Sequence, residues 1–248
     1  MNQPSPTQPS PIQPGPTKPG LIREFITIIA HVAVPQNEPP AVVWRRRIVV
    51  AIVLVAGAVL LGRALRTEPG EPEFYWLSLG LAALWAGGAL ASGPLRLGIV
   101  QFRGRYERPV FTGTGVGLVL GGVFVLAAWV ARTIPVVDDP LRELMGFADQ
   151  GSVRLLVAIV VLSAVAEEMF FRGALYTALV RHYPLTVSTL LYTAVALASG
   201  NWLLALTALV LGTVCGIERR ATNGVLAPVL THVVWGFIMV LALPPLFA

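Results

Sequence analysis

Glu167, Glu168 and Arg172 break an otherwise apolar run, VRLLVAIVVLSAVAEEMFFRGALYTALV, that begins at residue 153. Adjacent side chains on a helix point about 100° apart, so one partner cannot serve both glutamates. Glu168 and Arg172 stand at i and i+4 with the acid first, the better order for a salt bridge. Read as structure alone, that pair neutralises itself and holds a bundle together, but Glu167 is then left over. Farther along, the stretch GIERRATNGVLAPVLTH carries His232. A glutamate and a histidine at one place can activate water: the carboxylate takes its proton, and the imidazole assists or stabilises the oxyanion. Peptide hydrolysis inside a membrane is the natural reaction class.

The membrane follows from composition. Of 248 residues, 55% are hydrophobic and 12% charged, against about 25% charged in a typical globular chain. Mean hydropathy is +0.73. The expected fold is an all-α bundle of about seven transmembrane helices. A carboxylate at mid-membrane costs about 2.5–3.5 kcal/mol on insertion scales, which makes a spare one a functional candidate. Counting excludes other classes. Cys215 is the only cysteine, so there is no intramolecular disulfide or thiolate metal cluster. Lys18, the only lysine, lies in the N-terminal tail, so no span can carry a retinal Schiff base. The pI near 10.0 reflects arginines at span ends, a topology pattern and not a nucleic-acid face.

Residues 1–20 hold seven prolines among Gln, Ser, Thr and Gly and are expected to be a disordered, partly polyproline tail. The start is neither basic nor apolar, so no signal peptide is expected. Residues 21–47 read as an interfacial and juxtamembrane segment. Its apolar patch 21–34 is too short to span, and His31 is expected to be solvated. Three N-terminal spans within 48–131 are read as Ile48–Leu65, Phe74–Ala91 and Val110–Ala131. A core over 153–243 is read as Val153–Val180, Leu185–Ser199, Trp202–Ile217 and Val225–Leu243. Gly113, Gly117 and Gly121 repeat every four residues, a stripe that lets another helix approach closely. The GTGVG within it lacks a preceding strand and a Walker lysine, so it is no phosphate loop.

Arginines orient the bundle. Arg45, Arg46 and Arg47, then Arg96, Arg103, Arg105 and Arg108, then Arg181, then Arg219 and Arg220 fall on one side of seven spans. Acidic or mixed loops, with Glu68, Glu71, Glu73, Asp138, Asp139, Glu143 and Asp149, fall on the other. The N-terminus is therefore expected in the cytoplasm and the C-terminus outside. Glu167 and His232 each come out roughly 10 Å from the inner face, at 1.5 Å per residue. They share a depth, and His182 marks the cytoplasmic turn.

EEMFFRG at 167–173, followed by the L-A-P-x-L-x-H segment ending at His232, resembles the type II CAAX prenyl endopeptidase and bacteriocin-processing superfamily of intramembrane proteases. The resemblance covers roughly 153–240. It implies that Glu167 activates water, with Glu168, Arg172 and His232 completing the catalytic set. The family's second motif, FxxxH, should follow Pro184. Counting from that proline puts Ser199 at the histidine position, and anchoring on Tyr192 puts Ala196 there. Gly236 stands where the third motif, HxxxN, has asparagine. Losing a positioned base or an oxyanion donor costs a factor of about 10² or more. Asn201 is a polar neighbour with the reach to turn inward.

These departures leave two main readings: an intramembrane endopeptidase acting on a membrane-associated peptide or protein, and an inactive relative that binds or stabilises a partner. A serine-type protease using Ser199 and His232 lacks the GxSG glycine. A transporter would use Glu167 as a proton site. No cofactor is assigned. One histidine and two glutamates are suitable zinc donors, but adjacent glutamates on one helix are poorly placed for it. Expected partners are membrane lipid and a peptide or membrane-protein substrate, without nucleic acid. The expected location is the plasma (inner) membrane, with the site facing the cytoplasm. The best-known relatives process prenylated C-termini, yet no feature of this sequence reads a lipid.

Overall fold

The computed structural model describes residues 26–28, 30, 39–68, 70–102, 105–134, 136–137, 140–142, 146 and 152–247. The tail 1–20, His31, Asp138, Asp139, Glu143 and Asp149 lie outside them, as does most of the patch 21–34. In chain order the elements are α1 (Pro40–Ala64), α2 (Pro72–Ser92), β1 (Val100–Phe102), β2 (Arg105–Glu107), α3 (Val110–Ala131) and α4 (Val153–Glu168). A π-helical segment, Met169–Leu175, continues α4 into α5 (Tyr176–Ala178). Then come α6 (Pro184–Leu197), α7 (Trp202–Thr222), α8 (Leu226–Ala242) and α9 (Pro244–Phe247).

The architecture is helical, as expected, with one short hairpin added. β1 and β2 form an antiparallel pair in which Val100 faces Glu107 and Phe102 faces Arg105. The segment after α2 contains Gly93, Pro94 and Gly98 and cannot continue a helix, so its backbone finds partners across a hairpin. By length and composition α1, α2, α3 and α7 can each cross a membrane, while α6 and α8 are shorter apolar helices. Prolines start α1, α2 and α6, where a missing N–H costs nothing. Asn201 opens α7: its side chain accepts from the backbone of Leu203 and Leu204 and donates to the Pro140 carbonyl. It is a helix cap, not a group turned toward the site.

The start of α8 is fixed from outside. Val225 and Leu226 donate their backbone N–H to the carbonyls of Arg96 and Leu97, at 2.8 and 3.0 Å. Gly98 (φ 89°) touches Gly224 so closely that neither position has room for a Cβ. The segment after α2 thus caps the helix that carries His232.

Two seams hold the helices together. Trp85 of α2 is fully buried, received by Gly57 of α1 and packed at a tilt against Phe170 and Phe171, with ring centroids 4.5 and 5.1 Å away. An aromatic side chain buried to this extent is worth about 3–5 kcal/mol against alanine. The other seam is the glycine stripe. A Cβ at Gly113 would lie 2.7 Å from the Ala227 carbonyl, one at Gly117 2.8 Å from that of Thr231, and one at Gly121 2.5 Å from Ile238 Cδ1. The stripe therefore seats α3 on α8 within one chain. The rest of α3 turns outward, with Phe111, Val119 and Leu126 well exposed, as a lipid-facing helix requires.

Arg46 departs from its expected place on a flank. It lies inside α1, fully buried, and donates to Ser92 Oγ at 3.1 Å and to the Pro94 carbonyl at 3.2 Å. It ties the start of α1 to the end of α2.

Candidate active site

Glu168 sits at the end of α4 with no solvent exposure. Its Oε1 accepts from Arg172 Nη1 at 3.1 Å and lies 2.9 Å from His232 Nδ1. An ionised carboxylate only accepts, so beside one Nδ1 is the donor and Nε2 takes no part in this contact. Arg172 and His232 are both buried. The i, i+4 pair is present as the sequence spacing implied, and the histidine arrives from α8. The shared depth expected for His232 and Glu167 leaves the partner open, and the hydrogen bond of His232 runs to Glu168.

Glu167 points elsewhere, as the helical angle requires. Its Oε2 accepts a 2.6 Å hydrogen bond from the Tyr192 hydroxyl on α6. Tyr192 links the two glutamates, since its ring also lies beneath the Arg172 guanidinium at 4.6 Å. Gly212 on α7 makes room for this stack: a Cβ there would be 3.0 Å from Arg172 Nη2 and 3.2 Å from the Tyr192 ring. Tyr192 entered the sequence reading only as a motif anchor. Its signal was a tyrosine in an apolar helix, where a buried hydroxyl needs a partner.

The π segment begins directly after Glu168. A π turn disturbs the i−4 ladder and releases carbonyls. Here Arg219 Nε donates to the Arg172 carbonyl at 2.7 Å, and the Thr177 hydroxyl donates to that of Gly173 at 2.6 Å. Arg219, read from sequence as a topology charge, is thus a buried clamp on the site helix.

Three polar atoms close to this constellation are buried without a hydrogen-bond partner: Glu168 Oε2, Arg172 Nη2 and Trp235 Nε1. Trp235 packs its ring 5.8 Å from that of His232. Glu218 of α7 is also buried, with both carboxylate oxygens unpartnered, and sequence reasoning passed over it. Its signal was a carboxylate one turn inside an apolar helix.

The structure does not bring the other expected positions to the site. Ser199 lies in the turn after α6, where its hydroxyl donates to the Ala196 carbonyl at 2.6 Å and accepts from Asn201 N. A Ser199–His232 dyad finds no support in these contacts. Ala196 is buried one turn beyond Tyr192 but brings only a methyl. Gly236 lies against α4, where a Cβ would meet Val160 Cγ1 at 2.8 Å. An asparagine there would have to displace that contact. His182 is exposed in the turn after α5. Among the described residues, no three His, Cys, Asp or Glu side chains are gathered to hold a metal ion.

Residues 149–238 match a family model described as type II CAAX prenyl endopeptidase Rce1-like. No curated protein matches the chain, and no solved structure does.

Proposed function

We propose that this membrane protein, whose residues 149–238 match the type II CAAX prenyl endopeptidase Rce1-like family model, hydrolyses a peptide bond of a membrane-associated peptide or protein, using water activated by Glu167. The observation that carries the reading is the division of labour between two adjacent glutamates: Glu168 is committed to Arg172 and His232, while the one hydrogen bond to Glu167 among the described residues comes from the Tyr192 hydroxyl.

In this mechanism Glu167 accepts a proton from water as the oxygen adds to the scissile carbonyl carbon. The Tyr192 hydroxyl fixes the carboxylate and is a positioning residue. Glu168 orients His232 through Nδ1, so that Nε2, when protonated, meets the oxyanion. Collapse of the tetrahedral adduct breaks the C–N bond, and Glu167 returns its proton to the leaving amine. Arg172 neutralises Glu168 throughout. The bundle crosses the plasma membrane seven times with its N-terminus inside, and the site opens toward the cytoplasm. α6 suits such a site. Its 14 residues rise about 21 Å, short of the roughly 30 Å hydrocarbon core, which thins the barrier to water.

The second reading, an inactive relative, rests on Ala196 and Ser199 offering no histidine. N-terminal peptides from membranes expressing wild type, Glu167→Gln and His232→Ala at equal levels separate the two. Products seen with wild type and reduced about 10²-fold or more in both variants support hydrolysis. Identical peptides from all three overturn it.

A further inference from the structure

Away from the ion pair, the ends of α1, α5, α6 and α7 and the segment after α2 enclose a cleft of about 650 Å³. Five arginines line it, Arg47, Arg96, Arg181, Arg219 and Arg220, and no Asp or Glu is among the described lining residues. We propose that this cleft binds a phosphate-bearing anion, either the headgroup of an acidic lipid or free phosphate.

Topology alone accounts for arginines at one end of a bundle. It does not account for a concave site, nor for a buried arginine within it. The partners of Arg219 are the Arg172 carbonyl, the Asn223 side-chain oxygen, the Thr177 hydroxyl and the Tyr176 ring. None of these carries charge, so the guanidinium is held in place without being neutralised. Arg220 Nε is buried with no hydrogen-bond partner. Like charges gathered in a low-dielectric concavity raise the local anion concentration. Guanidinium forks pair with phosphate oxygens two at a time, which favours phosphate over a simple halide. The rim gives the level: Trp44 and Tyr183 are 66% and 84% exposed there, as in an interfacial aromatic belt. Basic pockets between helices at this level take acidic headgroups.

The full chain in dodecyl maltoside, titrated with phosphatidylglycerol against a phosphatidylcholine background and read by native mass spectrometry, tests this. Arg181→Gln with Arg220→Gln is expected to weaken phosphatidylglycerol binding about tenfold or more. Arg66→Gln with Arg105→Gln removes the same charge outside the cleft and is expected to change it less than about twofold. Should the double cleft variant fail to fold, Arg181→Gln alone changes an exposed turn residue and is compared with Arg105→Gln alone, one charge against one. Inorganic phosphate supplies the second arm. If millimolar phosphate displaces the lipid and stabilises wild type but not the cleft variant, the phosphate group alone is the ligand. If it does neither while the lipid binds, the headgroup in its lipid setting is the ligand. Equal lipid binding by wild type and the cleft variant, or equal loss in the control pair, overturns the proposal. The readout is ligand binding, so it does not depend on the peptidase assay.

Discussion

Helix α8 faces α3 on one side and α4 on the other, and the two seams are built differently. Against α3 the contact is shape: three glycines let the helices meet at backbone distance, with one hydrogen bond from Thr231 Oγ1 to the Gly113 carbonyl at 2.9 Å. Against α4 the contact is directional: His232 reaches Glu168, with a glycine contact at Gly236 one turn farther along. Close packing needs no desolvated charge, so it supplies stability cheaply. A buried ion pair returns little net stability but is costly to break. The shape seam therefore fixes α8, and the polar seam uses that fixed position. Thr231 and His232 are neighbours, so an error on one side is passed to the other.

The largest expected effect lies in the polar seam. Arg172→Ala leaves Glu168 buried and uncompensated, and thermal unfolding in detergent should show a loss of about 3–5 kcal/mol. Adding Glu168→Gln should recover part of it. A variant as stable as wild type would mean that the pair is not desolvated. Next comes the shape seam. Gly117→Val places a Cβ against the Thr231 carbonyl and Val234, for an expected loss of about 2–3 kcal/mol, with weaker cleavage because His232 is displaced. Unchanged melting would show that α3 does not seat on α8 through its glycines. The smallest effect is at Gly236. Gly236→Asn supplies the asparagine of the family motif, yet it should cost about 1 kcal/mol and add no activity, because Val160 occupies the space. Val160→Ala should relieve that cost. A rise in cleavage from Gly236→Asn alone would instead show that an amide at this position reaches the reacting carbonyl.

Much was legible before any tertiary contact was known. The helical class, the start and end of α3, and the pairing of Glu168 with Arg172 follow from apolar run lengths and i, i+4 spacing. The end of α1 fell within one residue of expectation, but its start did not. Arginines at 45–47 read as the flank of a span, while the helix begins at Pro40 and buries Arg46 against Ser92. A long side chain can carry its charge to a distant partner, and nothing local reveals that partner. Asn201 and Ser199 show the same limit. Both looked like polar groups near a site, and both are spent on capping and closing the turn between α6 and α7.

The sequence by itself determined a helical membrane chain, one ion pair, and a surplus glutamate on the same helix. These are consequences of spacing within single elements. Tertiary structure alone decided that His232 serves Glu168, that Tyr192 holds Glu167, that the glycine stripe meets α8, and that scattered arginines close one cleft. Each of these joins residues from different helices. Their meeting depends on helix rotation and approach distance, which no periodicity along a single strand of sequence encodes.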